Sequence, residues 1–453
     1  MNLIQLTPGT GGMYCGNCFR DNALVAELRK LGHEALMVPL YLPLKLDEPD
    51  QSAGTPVFFG GINVYLEQKL PLFSGAPKWL RNALSSRSLL ARAAGHSAKT
   101  RAEDVGDILI SMLQGEEGRQ AREIDELTAW LKTQPHPEVI CLSNALLLGM
   151  ARQLKRQLNT RLVCFLQGED AYLDSLATAY RDPAWKLLRT KAAEVDLFIV
   201  PNQYYAGVMI ERLALPTSKV RVVADGIRLE GYLEVRQAER GVRSGNEEEA
   251  LRPDATRSAP HQTLGYFARM CPEKGLHLLV DAFIQLRRRG TLPDLRLKVG
   301  GGCGPAEEPF VAGLKQQLAG EGLADAVSFH PNLDRQEKIA FLQSLDVFSV
   351  PATYPEAFGM YLVEAQAAGV PVVQPRFTSF PEFVQATGGG VLYEPDQPGA
   401  LAEALNGLLS NPARSRSLGS AGQRAVHEKF SAEAMAQSLL AALRSLTQTT
   451  FPS

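Results

Sequence analysis

Short apolar runs alternate with helix-period stretches along nearly the whole chain, and they do so twice. Runs near Asn2, Ala35, Val57, Val139, Leu162 and Leu197 fill the first half, and Leu264, Arg296–Val299, Ala326–Phe329, Val347–Val350, Val370–Val373 and Gly390–Tyr393 fill the second. Alternating strand and helix is the pattern of a mainly parallel sheet with helical crossovers. The chain is therefore predicted to be α/β, with two doubly wound domains facing across a cleft. The stretch between the halves differs in kind. From Leu229 to Gln262 it is polar and Pro-bearing and holds the run Glu239-Arg-Gly-Val-Arg-Ser-Gly-Asn-Glu-Glu-Glu, which reads as a solvated insertion. The expected limits are 1–227 for the first domain, 228–262 for the insertion and 263–431 for the second domain.

In the second half, the run Val347–Val350 leads through a Pro-rich loop into a helix and then the run Val370–Val373. Gly369 is placed to stop that helix and Pro371 to prevent its return. Loop and helix carry Glu356 and Glu364. If the stretch between them were entirely helical, a rise of ~1.5 Å per residue would hold them roughly 12 Å apart. Paired carboxyls that hydrolyse glycosides sit closer, at about 5–9.5 Å. The two glutamates thus read as contacts to different parts of one long ligand, with the backbone N–H groups of Phe358 and Gly359 as further donors near a helix start. Two solvated glutamates on an ordinary βαβ helix are the plainer alternative.

A second segment adds cations. Thr263–Phe267 reads as a strand, followed by Arg269-Met-Cys-Pro-Glu-Lys274-Gly275 and a helix from about Leu276 with Leu279, Ala282, Phe283 and Leu286 on its apolar face. In an open α/β sheet, ligands bind outside the carboxyl ends of the strands, and helix N-termini there favour phosphate. Arg269 offers a planar fork to phosphate oxygens and Lys274 a mobile point charge. Either residue alone would pass for an ordinary surface cation.

Together, Gly265, Arg269, Lys274 and Gly275 followed by Glu356, Phe358, Gly359, Glu364 and Ala365 resemble the retaining glycosyltransferases of family 4, whose architecture is GT-B with two Rossmann-like domains. The resemblance implies that Arg269 and Lys274 hold the diphosphate of a nucleotide sugar, Glu364 binds the ribose, and Glu356 lies by the donor sugar, with Phe358 and Gly359 in the same donor loop. It also implies that a closing helix near 432–446 returns to the first domain. No cofactor and no metal is called for, because the two cations can replace one.

The amino end fits the same family. Asn2–Leu6 reads as a strand, Thr7-Pro-Gly-Thr-Gly-Gly12 as a glycine loop, and the helix with Leu24, Leu28 and Leu31 on one face ends at Gly32. A glycine loop alone is weak evidence of phosphate binding. The resemblance places Gly11 and Gly12 close to the donor phosphates or the acceptor. Elsewhere the chain departs from the family. Gln167 stands where a histidine is usual, so it can bind a sugar hydroxyl and not relay a proton, and Asp170 is a further candidate sugar or acceptor contact. Asp225 replaces a usual asparagine, and Phe377–Glu382 keeps a carboxylate while losing the usual glycines. Gly300 and Gly302 suit either a nucleotide contact or a simple βα turn.

Composition narrows the class. At 453 residues, 45% hydrophobic and 21% charged, the chain has material for two cores, and a net charge of −2 gives no nucleic-acid signature. No apolar run approaches a membrane span and no leader precedes the first strand, so a cytoplasmic protein is expected. Positions 74–104 interleave Lys78, Arg81, Arg87 and Arg92 with Trp79, Leu80 and Leu84. The stretch suits peripheral contact with an anionic membrane or, as the favoured reading, a cover over the acceptor side. Of six cysteines only Cys15 and Cys18 have a motif spacing, and packing is favoured there over a redox pair or half a zinc site.

The expected reaction is transfer of a sugar from a nucleotide diphosphate sugar to the hydroxyl of a carbohydrate, lipid-linked or small acceptor, with retention. Arg269, Lys274 and Glu356 form the catalytic group. A nucleotide-sugar epimerase of the same architecture and a non-catalytic sugar-nucleotide-binding protein are the alternatives.

Overall fold

The computed structural model describes residues 1–9, 15–44, 46–59, 102–232 and 261–447. Gly11, Gly12, the basic stretch up to position 101 and the polar run 233–260 lie outside them. The chain divides into two compact units, Met1–Gly226 with Ala432–Ser453, and Ile227–Ser431.

Each unit is built on a six-stranded parallel sheet. In the first, β1 (Asn2–Thr7), β2 (Glu34–Pro39), β3 (Val139–Leu142), β4 (Arg161–Phe165), β5 (Leu197–Val200) and β6 (Val220–Val222) lie in the order β2-β1-β3-β4-β5-β6. Among the described residues, Val57 lies in no strand. Phe59 instead bonds its N–H to the Leu40 carbonyl at 2.8 Å, and Phe58 packs on Trp130. These aromatic contacts explain the apolar run without a ladder. The edge position belongs to β6, whose Arg221 and Val222 are exposed and whose sequence gives little apolar signal.

In the second unit, β7 (Thr263–Phe267), β8 (Arg296–Gly301), β9 (Val327–Pro331), β10 (Val347–Phe348), β11 (Val372–Pro375) and β12 (Gly390–Tyr393) lie in the order β12-β11-β10-β7-β8-β9. Chain direction across the sheet reverses between β7 and β10, and in the first sheet between β1 and β3. Side-by-side loops that leave such a pair in opposite directions open a crevice at the carboxyl ends of the strands. The helix Ala432–Thr447 belongs to the first unit. Its Met435, Leu439 and Leu443 are buried against Leu24 and Leu28 of the helix Gly16–Lys30 and against Met37. Each fully buried leucine contributes about 1.5–3 kcal/mol, so this face anchors the helix firmly.

Candidate active site

The loops that follow β7 and β10 meet at the reversal point of the second sheet. After β7, the chain bonds Met270 N–H to the Gly302 carbonyl at 2.8 Å and forms a short turn over Pro272–Lys274. Gly275 then adopts φ +71°, where a side chain's Cβ would stand 1.8 Å from the Pro351 carbonyl oxygen. Only glycine lets the two loops pass this closely. Thr353 N–H donates to the Glu273 carbonyl at 2.9 Å and fastens them again.

This crossing delivers Lys274 to Glu356, 82 positions away in sequence. Lys274 Nζ donates to Glu356 Oε2 and to the Tyr354 hydroxyl, both at 2.5 Å. Glu356 Oε2 also accepts from Tyr361 at 3.0 Å and Tyr354 at 3.1 Å. The pair is largely withdrawn from solvent, with side-chain exposures of 16% and 13%. Burial works against the Lys274 charge, yet Glu356 and then Tyr354 hold its pKa well above the ordinary amine range. Burial likewise pushes Tyr354 up to about 12, so its hydroxyl stays protonated.

The remaining predicted residues of this unit fall around the pair in different roles. Arg269 is exposed, with Nε donating to Cys271 Sγ at 3.3 Å and, among the described residues, no carboxylate partner. Glu364 lies on the helix Met360–Ala367 and accepts from Lys338 Nζ at 2.8 Å. Because that helix begins only at Met360, Glu356 sits in the loop before it, and the all-helical spacing of the two glutamates does not apply. The ring of Phe358 is buried beside Phe383 and Phe430, with centroids 6.3 and 6.0 Å away. Phe358 therefore offers a ligand its backbone and not its ring. Gly359 precedes the helix at φ +87°. Tyr354, Tyr361 and Lys338 were not singled out from sequence. The tyrosines flank Glu356 closely enough to have been noticed, whereas Lys338 comes from a different βα unit and carried no local signal.

The first unit binds its polar groups into a buried network at the corresponding edge. Gln167 Nε2 donates to Asp225 Oδ2. The two departures from the family pattern are thus partners: an amide replaces an imidazole where a carboxylate replaces an amide. Burial pushes Asp225 up to about 6 against the pull of Arg20. Asp170 and Glu169 both reach the Tyr205 hydroxyl, at 2.9 and 3.0 Å. Arg20, unnoticed in the sequence, donates to Asp21 Oδ1 from Nε at 2.8 Å and Nη2 at 2.5 Å, and to the Ser143 carbonyl at 3.0 Å. Cys15 stands at the start of the helix Gly16–Lys30 without a side-chain capping bond, and a hydrogen bond from Cys18 brings its thiol down to about 6. Among the described residues no group of three His, Cys, Asp or Glu is arranged to hold a metal ion.

The chain is similar to several known proteins. Residues 247–425 match the family described as "Glycosyl transferases group 1". The chain is 29% identical over 255 residues to "D-inositol 3-phosphate glycosyltransferase" of Segniliparus rotundus, covering 56% of this chain and 53% of the relative. It is 32% identical over 162 residues to "GDP-mannose-dependent alpha-(1-6)-phosphatidylinositol monomannoside mannosyltransferase" of Mycolicibacterium smegmatis, covering 34% and 41%. The chain thus spans about half the length of the curated relatives it matches. Among solved structures, sucrose-phosphate synthase from Thermosynechococcus elongatus aligns with a TM-score of 0.71 at 20% identity over 99% of this chain and 100% of that one. Anabaena HepE in complex with UDP aligns with a TM-score of 0.66 at 18% identity over 98% and 100%. At these identities the likeness shows the fold, which is GT-B.

Proposed function

We propose, from the premise that residues 247–425 belong to the glycosyl transferases group 1 family, that the protein is a retaining glycosyltransferase using a nucleotide diphosphate sugar. The observation that carries this reading is the Lys274–Glu356 pair at the β7/β10 reversal point, with Arg269 unpaired by any described carboxylate on the same loop. Departure of the diphosphate is the difficult step. Two cations aimed at it stabilise the charge that grows as the sugar–phosphate bond lengthens. Arg269 grips oxygens through its fork, Lys274 supplies a fixed charge, and the backbone N–H groups at Phe358 and Gly359 add donors. Glu364, steadied by Lys338, takes the ribose hydroxyls. The acceptor approaches the oxocarbenium-like sugar on the face that the diphosphate leaves, and the diphosphate takes its proton, so no side-chain base is needed.

UDP and GDP sugars are the donors to try first, because UDP is bound in the HepE structure and GDP-mannose is named for the second relative. The relatives' names point to an inositol-type polyol, free or lipid-linked, as acceptor. We place the reaction in the cytoplasm. Among the described residues no helix is long and apolar enough to cross a membrane. A panel of nucleotide sugars screened by thermal stabilisation tests the donor, since a ligand at 100 times its dissociation constant adds about 2.7 kcal/mol. Product analysis with the stabilising donor then tests the chemistry. A glycosylated acceptor supports the reading, whereas an isomerised nucleotide sugar or binding without turnover across the acceptor panel overturns it.

A further inference from the structure

Glu356 gathers three hydrogen bonds on one carboxylate oxygen, and its Oε1 has no protein partner among the described residues. Oε2 meets Lys274 Nζ at 2.5 Å, the Tyr361 hydroxyl at 3.0 Å and the Tyr354 hydroxyl at 3.1 Å. Lys274 in turn lies over both rings, 4.7 Å from the Tyr354 centroid and 5.1 Å from that of Tyr361. An ammonium has three hydrogens. One is directed at Glu356 and one at Tyr354, which leaves a single hydrogen for anything outside the cluster. The carboxylate and both phenols therefore fix the direction in which Lys274 can act.

We propose that Glu356, Tyr354 and Tyr361 are positioning residues that aim and hold Lys274, and that Glu356 acts on the diphosphate through Lys274 while its Oε1 stays free for the donor sugar. The inference rests on the glycosyltransferase reading of this site. It adds to the role that resemblance implies for Glu356, and it gives the two tyrosines a function. Support comes from the balance at Lys274: burial opposes its charge, and Glu356 followed by Tyr354 overcomes that opposition. The other titratable groups nearby are Tyr266 at the end of β7 and Arg269, Cys271 and Glu273 on the Lys274 loop, none of which bonds Lys274 Nζ. With Glu356 neutralised, burial should let the lysine lose its proton at lower pH.

A nucleoside diphosphate without a sugar separates the two roles. Calorimetric titration of the full chain with UDP and GDP is compared for the unaltered protein, Glu356→Gln, Lys274→Ala and the double variant, each across neutral to alkaline pH. A charge-assisted hydrogen bond is worth about 1.5–3 kcal/mol, so Glu356→Gln should weaken sugar-free nucleotide binding roughly tenfold or more. Its alkaline loss of affinity should begin at lower pH. In the Lys274→Ala background the same change should add almost nothing, because the two side chains act as one unit. Unchanged UDP and GDP affinity in Glu356→Gln, with only the nucleotide sugar weakened, would overturn the inference and leave Glu356 to the sugar alone. Additive losses in the double variant would also overturn it. If Glu356→Gln does not fold, Tyr354→Phe carries the test, and it should shift the alkaline limb in the same direction by a smaller amount. Failure of the unaltered chain to bind any nucleoside diphosphate would overturn the glycosyltransferase reading and this inference together.

Discussion

Both sheets reverse direction at one point, and both reversal points hold a cation beside a carboxylate, but at different depths. In the first unit Arg20 and Asp21 are wholly buried, at 0% and 0% exposure, and the guanidinium stacks 4.3 Å from the centroid of the Phe165 ring. In the second, Lys274 and Glu356 retain 16% and 13% exposure beside an exposed Arg269. The same topological position thus supports two outcomes. Where the pair is sealed and further bonded to Thr7 and Ser143 it ties β1 to the end of β3, and Arg20 Nη1 is buried without a hydrogen-bond partner among the described residues. Where one cation proton and a second cation remain available, the position can bind an anion. On the proposed function, depth of burial, more than the presence of charge, separates the two reversal points.

Breaking the sealed pair should have the largest effect. Arg20→Met leaves Asp21 buried without its cation, and loss of one partner of a buried pair costs about 3–5 kcal/mol. All three tryptophans, Trp79, Trp130 and Trp185, fall within Met1–Gly226, so denaturation followed by tryptophan fluorescence reports the first unit. A midpoint unchanged by Arg20→Met would erase the distinction drawn here. Lys274→Ala should show the opposite profile. Transfer should fall roughly 10²–10³-fold, as when one transition-state donor is removed, while the tryptophan transition stays in place. Unchanged turnover would remove Lys274 from the catalytic group.

Gly275→Ala tests whether the open reversal point depends on the loop crossing. The positive φ and the 1.8 Å approach to the Pro351 carbonyl leave no room for a methyl group. Strain of this kind costs about 1–3 kcal/mol, seen as a lower calorimetric transition for the second unit, and nucleotide binding should weaken with it because Lys274 is the adjacent residue. A variant that keeps both stability and binding would show that the crossing is incidental.

The second sheet was legible because its strands are short apolar runs punctuated by glycine, and because Arg269, Lys274, Glu356 and Glu364 sit in segments with a recognisable order. The first sheet was less so. Val57 gave a false strand because Phe58 and Phe59 are apolar for aromatic packing, and β6 gave none because Arg221 and its exposed neighbours blur the pattern. Pairings were the least legible of all. Gln167 and Asp225 are 58 positions apart, Lys274 and Glu356 82. Gln167 and Asp225 were each seen as a departure, but only the fold shows that one departure answers the other. Arg20 was invisible because a helical arginine ordinarily faces water, and nothing local announces that this one does not.

The smallest predicted effect concerns the carboxyls beside that network. The Tyr205 hydroxyl accepts from Gly168 N–H at 2.7 Å and lies 3.0 Å from Glu169 Oε2 and 2.9 Å from Asp170 Oδ1. Glu169 also accepts from the N–H groups of Ala145 at 2.9 Å and Gln167 at 2.6 Å, which favour its anion. The Tyr205 hydroxyl is the donor to both carboxyls, and burial raises Glu169 and, beside it, Asp170 above the ordinary carboxylate range. The other neighbours of Asp170 are Asp174, paired with Arg212, and Tyr204. A carboxyl raised in the folded state stabilises fully at pH below its unfolded value of about 3.9, and that contribution is lost as pH rises through the raised value. Asp170→Asn mimics the protonated acid and cannot titrate. The variant should therefore unfold later than the unaltered chain at about pH 8, and the gap should close as pH falls toward about 4. A variant less stable at about pH 8 would mean that the fold favours the Asp170 carboxylate over its acid, so that the hydrogen bonds to it outweigh its burial.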